Sequence, residues 1–189
     1  MSNSKLIGDF KLLREHCILL RQNYNTYTGL FNEENRELLG QVAPTFFSDL
    51  AEIMHRDWIL QNCKLMDPAT TKVRGNIFEN ITIKLINEQL ETCGLFGQEI
   101  NDLSQKLLEY GDKIKPARHK RLAHFDREHH VNNITLGKTT EEELFEFLNN
   151  IQIYCDKVGI AADVGSLDFS GSGCSGDVLD LIKHLRSRK

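Results

Sequence analysis

The sequence predicts an all-α fold, a bundle of about five to seven helices, and three observations carry that expectation. Apolar residues recur at steps of three and four along most of the 189-residue chain. Thirteen Gly and three Pro make up about 8% of it, fewer breakers than the roughly 12% of average proteins, and aromatic residues are also only 8%. No run alternates long enough to read as a strand, and no segment repeats. With 40% apolar and 26% charged residues, the chain has material for one sizeable core and is too apolar for wholesale disorder.

The elements follow in order. Leu6, Phe10, Leu13, Cys17, Leu20 and Tyr24 mark one face of a first helix. A second long helix is expected from about Pro44 to Met66, through Phe47, Leu50, Met54, Trp58 and Leu65, and Asp67-Pro68 is its stop signal. Trp58, Phe46 and Phe47 are assigned to the core. Asp67 is assigned to the helix-ending turn. Residues from about Asn76 to Cys93 carry Ile83, Ile86 and Leu90, with Gly94 in the C-cap region. Ile100, Leu103, Leu107 and Tyr110 define a helix expected to end near Gly111. Pro116 suits the first position of another.

The best-defined helix runs from Thr140 to Val158. Thr139/Glu142 and Thr140/Glu143 both fit a capping box, and Gly159 is expected beyond its end. Residues 165–176 hold four Gly and four Ser, a flexible connector, and Asp177–Arg188 reads as a terminal helix. The division is thus a helical domain over residues 1–162, then a connector and short C-terminal helix over 163–189.

Charge and cysteine usage bound the function. The net charge of −4 excludes a uniformly basic nucleic-acid coat. Five dispersed cysteines with no C-x-x-C pair suggest neither a zinc knuckle nor a disulfide framework, so a reducing compartment is expected. The charged N-terminal stretch and the lack of a long apolar run point to a cytoplasmic protein with no membrane partner.

Against that acidic background, residues 113–130 hold six Lys or Arg against Asp126 and Glu128, a local net of +4, and four of the seven histidines: His119, His124, His129 and His130. Such a patch suits a polyanion such as RNA; a solvated helix face is the plainer alternative. If Pro116 opens a helix, these cations oppose its dipole at about 0.3–1 kcal/mol each, and a bound anion would relieve that.

Within the patch lies Arg118-His119-Lys120-Arg121-Leu122-Ala123-His124, an arginine and a histidine separated by five residues. Here the sequence resembles the HEPN superfamily of helical nucleotide-binding and ribonuclease domains, which carry R-x(4–6)-H. The context R-x-K-R-L-A-H-x-D is similar to the AbiU branch, associated with abortive phage infection, as is the stretch Asp57-Trp58-Ile59-Leu60 through Leu65-Met66-Asp67-Pro68-Ala69. The resemblance implies a HEPN-like bundle and an endoribonuclease, toxin-like or antiviral. It also implies a homodimer with a composite active site, and leaves room for an antitoxin or regulatory protein as partner. Where some HEPN toxins have a tyrosine that an antitoxin adenylylates, this chain has Asp126, which argues against that mode of neutralisation.

The residue types fit the chemistry. Attack by an RNA 2′-hydroxyl needs a base, an acid for the departing 5′-oxygen, and positive charge on the crowded phosphate. His124 supplies an imidazole that titrates near neutrality, and Arg118 a guanidinium that never does. Neither metal nor cofactor is required. Lys115, His119, Lys120 and Arg121 are the candidate RNA-binding residues. In continuous helix Arg118 and His124 would stand about 9 Å apart along the axis and ~120° around it. Arg121, three residues from His124, shares its face more directly and is the reserve for the catalytic arginine. Asp126 either orients an imidazole or is surface charge. Three readings remain: a metal-independent ribonuclease, a non-catalytic HEPN module binding nucleotide, RNA or a protein, and a helical interaction domain in which the motif is accidental.

Overall fold

The stripe that begins at Leu6 becomes a single 28-residue helix, α1 (Asn3–Leu30), and buries Leu6, Phe10, Leu13, Cys17 and Leu20. The computed structural model describes residues 3–119, 138–171 and 174–187. After α1 come α2 (Glu33–Val42), α3 (Pro44–Leu65), a hairpin of β1 (Thr70–Val73) and β2 (Asn76–Glu79), α4 (Ile83–Thr92) and α5 (Gln98–Ala117). Then follow α6 (Glu141–Ala161) and α7 (Val178–Arg186), making seven helices among the described residues. The expected all-α bundle is what forms. No described helix is long and apolar enough to cross a membrane.

The main core lies where α1, α4, α5, α6 and the end of α3 meet. Phe10, Ile86, Leu90, Leu107 and Val158 are fully excluded from solvent there. Tyr110 stacks on Phe147 at 4.2 Å, joining α5 to α6. A smaller cluster of Leu30, Leu38, Leu39, Phe47 and Ile182 holds α2 and α7 against the start of α3. Phe47 is buried as expected, but Phe46 is exposed: neighbours on a helix point ~100° apart, and only one can face so narrow a core. Helix α2 opens on Asn32, whose side chain accepts from the Asn35 N–H, with Glu33 and Glu34 at the positive end of the dipole.

Several expected boundaries move, each for a local reason. Residues 76–79 are a strand rather than the start of a helix. Arg74 and Gly75 both take positive φ, at 49° and 89°, the two-residue turn that matches strand twist, and α4 starts only after the Thr82 cap. Gly94 does end α4: it takes φ 70°, and the Leu95 N–H reaches back to the Leu90 carbonyl. Gly111, by contrast, lies inside α5. A Cβ there would collide with Met66, so this glycine permits a close crossing of α5 over the end of α3. Gly159 likewise lies inside α6, under the carbonyl of Gly165, and the left-handed position past that helix is taken by Asp163.

The described connector residues 164–171 are pinned along the bundle. Gln152 Nε2 donates to the Leu167 carbonyl, the Phe169 N–H donates to Gln152 Oε1, and Arg14 donates to the Gly165 carbonyl. Phe169 is buried in the main core.

The Thr140–Glu143 capping box forms, and Lys113 of α5 bonds the same carboxylate. Together Lys113, first, and the Thr140 N–H hold the Glu143 carboxyl below its ordinary range. The folded state therefore favours the charged form. The stabilisation is complete above about pH 4.5 and is lost as pH falls below it. Glu143→Gln keeps the acceptor and removes the charge. It is expected to melt below the wild type at neutral pH, with the gap closing as pH falls below about 4.5, read by thermal denaturation across that range.

Candidate active site around Arg118

Helix α3 ends at Leu65 with Met66 as its cap, and Asp67 is the next residue. Helix α5 crosses this end with Gly111 seated on Met66, then runs to Ala117. Pro116 does not open a new helix. It sits in the last turn of α5, and the chain continues as a π-helical turn through Arg118 and His119. The expected electrostatics reverse with it: Lys115 and Arg118 stand at the negative, C-terminal end of α5, where cations are favourable.

This geometry delivers Arg118 onto Asp67. The guanidinium Nη1 donates to Asp67 Oδ1 in an ion pair only about a quarter exposed on either side. Hydrogen bonding to Asp67 pushes the arginine above its already high ordinary pKa, so it stays charged throughout the working range. The Cys63 thiol lies beneath it, 3% exposed. Burial raises that thiol, and the neighbouring guanidinium works in the opposite direction. Cys63, Met66, Asp67, Gly111, Asp112, Lys115 and Arg118 line a shallow cleft of about 10 Å³, room for a single water. Lys115 is exposed on its rim, 4.0 Å from Asp112 Oδ1, and His119 is exposed one residue past the arginine.

Among the sequence-predicted site residues, the structure thus brings together Arg118 and Lys115, with His119 alongside. His124, Lys120 and Arg121 lie outside the described residues, as do Asp126, His129 and His130. Among the described residues, no group of three or more His, Cys, Asp or Glu side chains is placed to hold a metal ion. Two members of the cleft carried no functional signal in the sequence. Asp67 follows a helix end and precedes a proline, and both facts suffice to explain a turn residue. Cys63 sits on an apolar helix face. Their link to Arg118 spans about 50 residues of chain and exists only once α5 has crossed α3.

No curated protein and no solved structure gives a significant match to this chain. A family model does: the HEPN family AbiU2 matches residues 3–171, from the first turn of α1 to the connector pinned along α6. By that match, which takes in Asp67 and Arg118 together, the chain belongs to the AbiU2 family of HEPN proteins.

Proposed function

We propose that the protein is a metal-independent endoribonuclease acting in abortive infection from the cytoplasm. The observation that carries this reading is the Arg118–Asp67 pair: a permanently charged arginine fixed at the mouth of a shallow cleft, in a segment of net positive charge. Membership in the AbiU2 family supports it.

In this reaction the 2′-oxygen of the ribose attacks the adjacent phosphorus and its proton passes to the imidazole of His124. The bond from phosphorus to the 5′-oxygen breaks, and that oxygen takes a proton from an imidazolium. Arg118 neutralises the charge that accumulates on the non-bridging oxygens, where a guanidinium fork pairs two oxygens at once. The products are a 2′,3′-cyclic phosphate and a 5′-hydroxyl. Two-fold pairing of protomers sets two copies of the motif across one cleft, one imidazole as base and the other as acid. Lys115, His119, Lys120 and Arg121 hold the flanking phosphates, where Lys and Arg contacts make binding weaken steeply with salt.

The direct test is incubation of the purified protein with total RNA in excess EDTA. Cleavage is expected to survive chelation and to leave 3′ ends that phosphatase removes only after acid opens the cyclic ester. Activity that EDTA abolishes, 5′-phosphate products, or no cleavage of any RNA in the pool would overturn the reading.

A further inference from the structure

Away from the arginine cleft, a cavity of about 450 Å³ opens between α1, α3 and the first turn of α6, within the size range that encloses small ligands. Its walls are aromatic. The rings of Tyr24 and Trp58 lie 5.9 Å apart, inclined at 47°, and Tyr27 adds a third. Flat aromatic surfaces of this kind hold an unstacked base, and any base satisfies them.

The polar groups narrow the choice. Asp57 and Glu141 bring two carboxylates to the lining beside His55, while no Lys or Arg is among the described lining residues. The two carboxylates disfavour phosphate inside and favour a ligand that presents hydrogen-bond donors. Guanine is the RNA base whose pairing edge carries adjacent N1–H and N2–H donors, spaced to meet both oxygens of one carboxylate. Asp57 is already oriented: its Oδ1 accepts from Gln61 Nε2 at 2.8 Å. One wall residue touches α5: Thr139 Oγ1 is 3.5 Å from the Tyr110 hydroxyl, behind the lining. Arg118 follows Tyr110 by eight residues, about 12 Å of helical rise. A strand of a few nucleotides spans both places.

We propose that this cavity is a base-specificity pocket that takes one guanine of a single RNA strand, with the strand's phosphates left outside along the basic end of α5. The inference rests on the ribonuclease reading for the identity of the strand, and it assigns that reading a sequence preference.

Trp58 is the chain's one tryptophan, so its fluorescence reports this cavity directly. The experiment titrates the full-length protein with 2′-O-methyl uridine heptamers carrying a central guanine, adenine, cytosine or uracil. The methyl group removes the attacking hydroxyl, so binding is read whether or not the protein cuts RNA. The guanine heptamer is expected to quench Trp58 saturably and to bind about tenfold more tightly than the other three. The double variant Asp57→Asn/Glu141→Gln is expected to lose that preference. Removing two negative charges favours every RNA, so loss of selectivity would run against the electrostatic change and report the lost acceptors. No quenching by any heptamer, an equal response to all four, or a preference that survives in the double variant overturns the proposal. Cleavage of natural RNA without a Trp58 response refutes the pocket and spares the nuclease reading. A guanine-selective response without cleavage refutes the nuclease reading alone.

Discussion

Arg118→Ala and His124→Ala are each expected to lower RNA cleavage by about 10²–10⁴-fold, measured in EDTA on the same substrate as the wild type. The two losses have different physical origins, and Asp67 separates them. Asp67 touches no substrate in the proposed reaction; it positions Arg118 through the ion pair at the end of α5. Asp67→Ala frees the guanidinium to explore solvent, and misplacement by about 1 Å is enough to cost ~10²-fold in rate. Asp67→Asn keeps one acceptor for Arg118 Nη1, so it is expected to retain much of the activity that the alanine variant loses. A merely structural Asp67 would instead shift the melting temperature and leave kcat untouched. The pair is only about a quarter exposed, so its removal also costs about 1.5–3 kcal/mol of stability, and kcat must be compared well below the melting temperature of each variant. Arg118→Lys is expected to behave nearly as badly as alanine, since an ammonium lacks the planar fork that meets Asp67 and phosphate at once. Full activity in Asp67→Ala would remove the positioning role. Full activity in Arg118→Ala would remove the motif from the mechanism.

The second large effect concerns the fold. Gly159→Ala places a methyl group against the carbonyl of Gly165, and that carbonyl is backbone, held by a hydrogen bond from Arg14 and by the chain reversal after α6. It has no rotamer by which to retreat. Overpacking of this kind costs about 1–3 kcal/mol, which for a chain of this size lowers the melting temperature by roughly 3–10 °C. Gly111→Ala is the natural control. The obstacle there is the side chain of Met66, which can move, so the drop should be smaller and Met66→Ala should relieve it. Equal melting temperatures for Gly159→Ala and the wild type would show that residues 164–171 do not pack along α6 in solution.

These glycines show how far the sequence could be read. A stripe such as Leu6 to Tyr24 or a capping box at Thr140 and Glu143 is local: every residue it needs lies within a few positions, and both are found as expected. Gly94 ends its helix for an equally local reason. Gly111 and Gly159 carry the same letter but answer to Met66 and to Gly165, neighbours that exist only in three dimensions. The hairpin escaped because all eight of its strand residues are exposed, so no buried face imposes an alternating pattern. Its turn, Arg74-Gly75, also lacks the Asn-Gly signature. Among site residues, Lys115 and Arg118 were legible as a charge cluster with a spacing. Asp67 was not, since a carboxylate beside a proline looks the same whether or not an arginine descends on it.

Two of the chain's three prolines flank the Arg118–Asp67 pair: Pro68 follows the acid directly, and Pro116 precedes the base by two residues. A residue before proline is confined largely to extended backbone, and proline itself has one φ. Asp67 is therefore carried on stiff backbone, and Arg118 is held by the helical turn it caps at the end of α5. An arginine side chain surrenders up to about 2 kcal/mol of rotational entropy when it is immobilised. Here that entropy is lost when the chain folds, with Asp67 as the tether. A phosphate arriving at Arg118 meets an arm whose freedom is already gone, so more of the attraction between them appears as affinity.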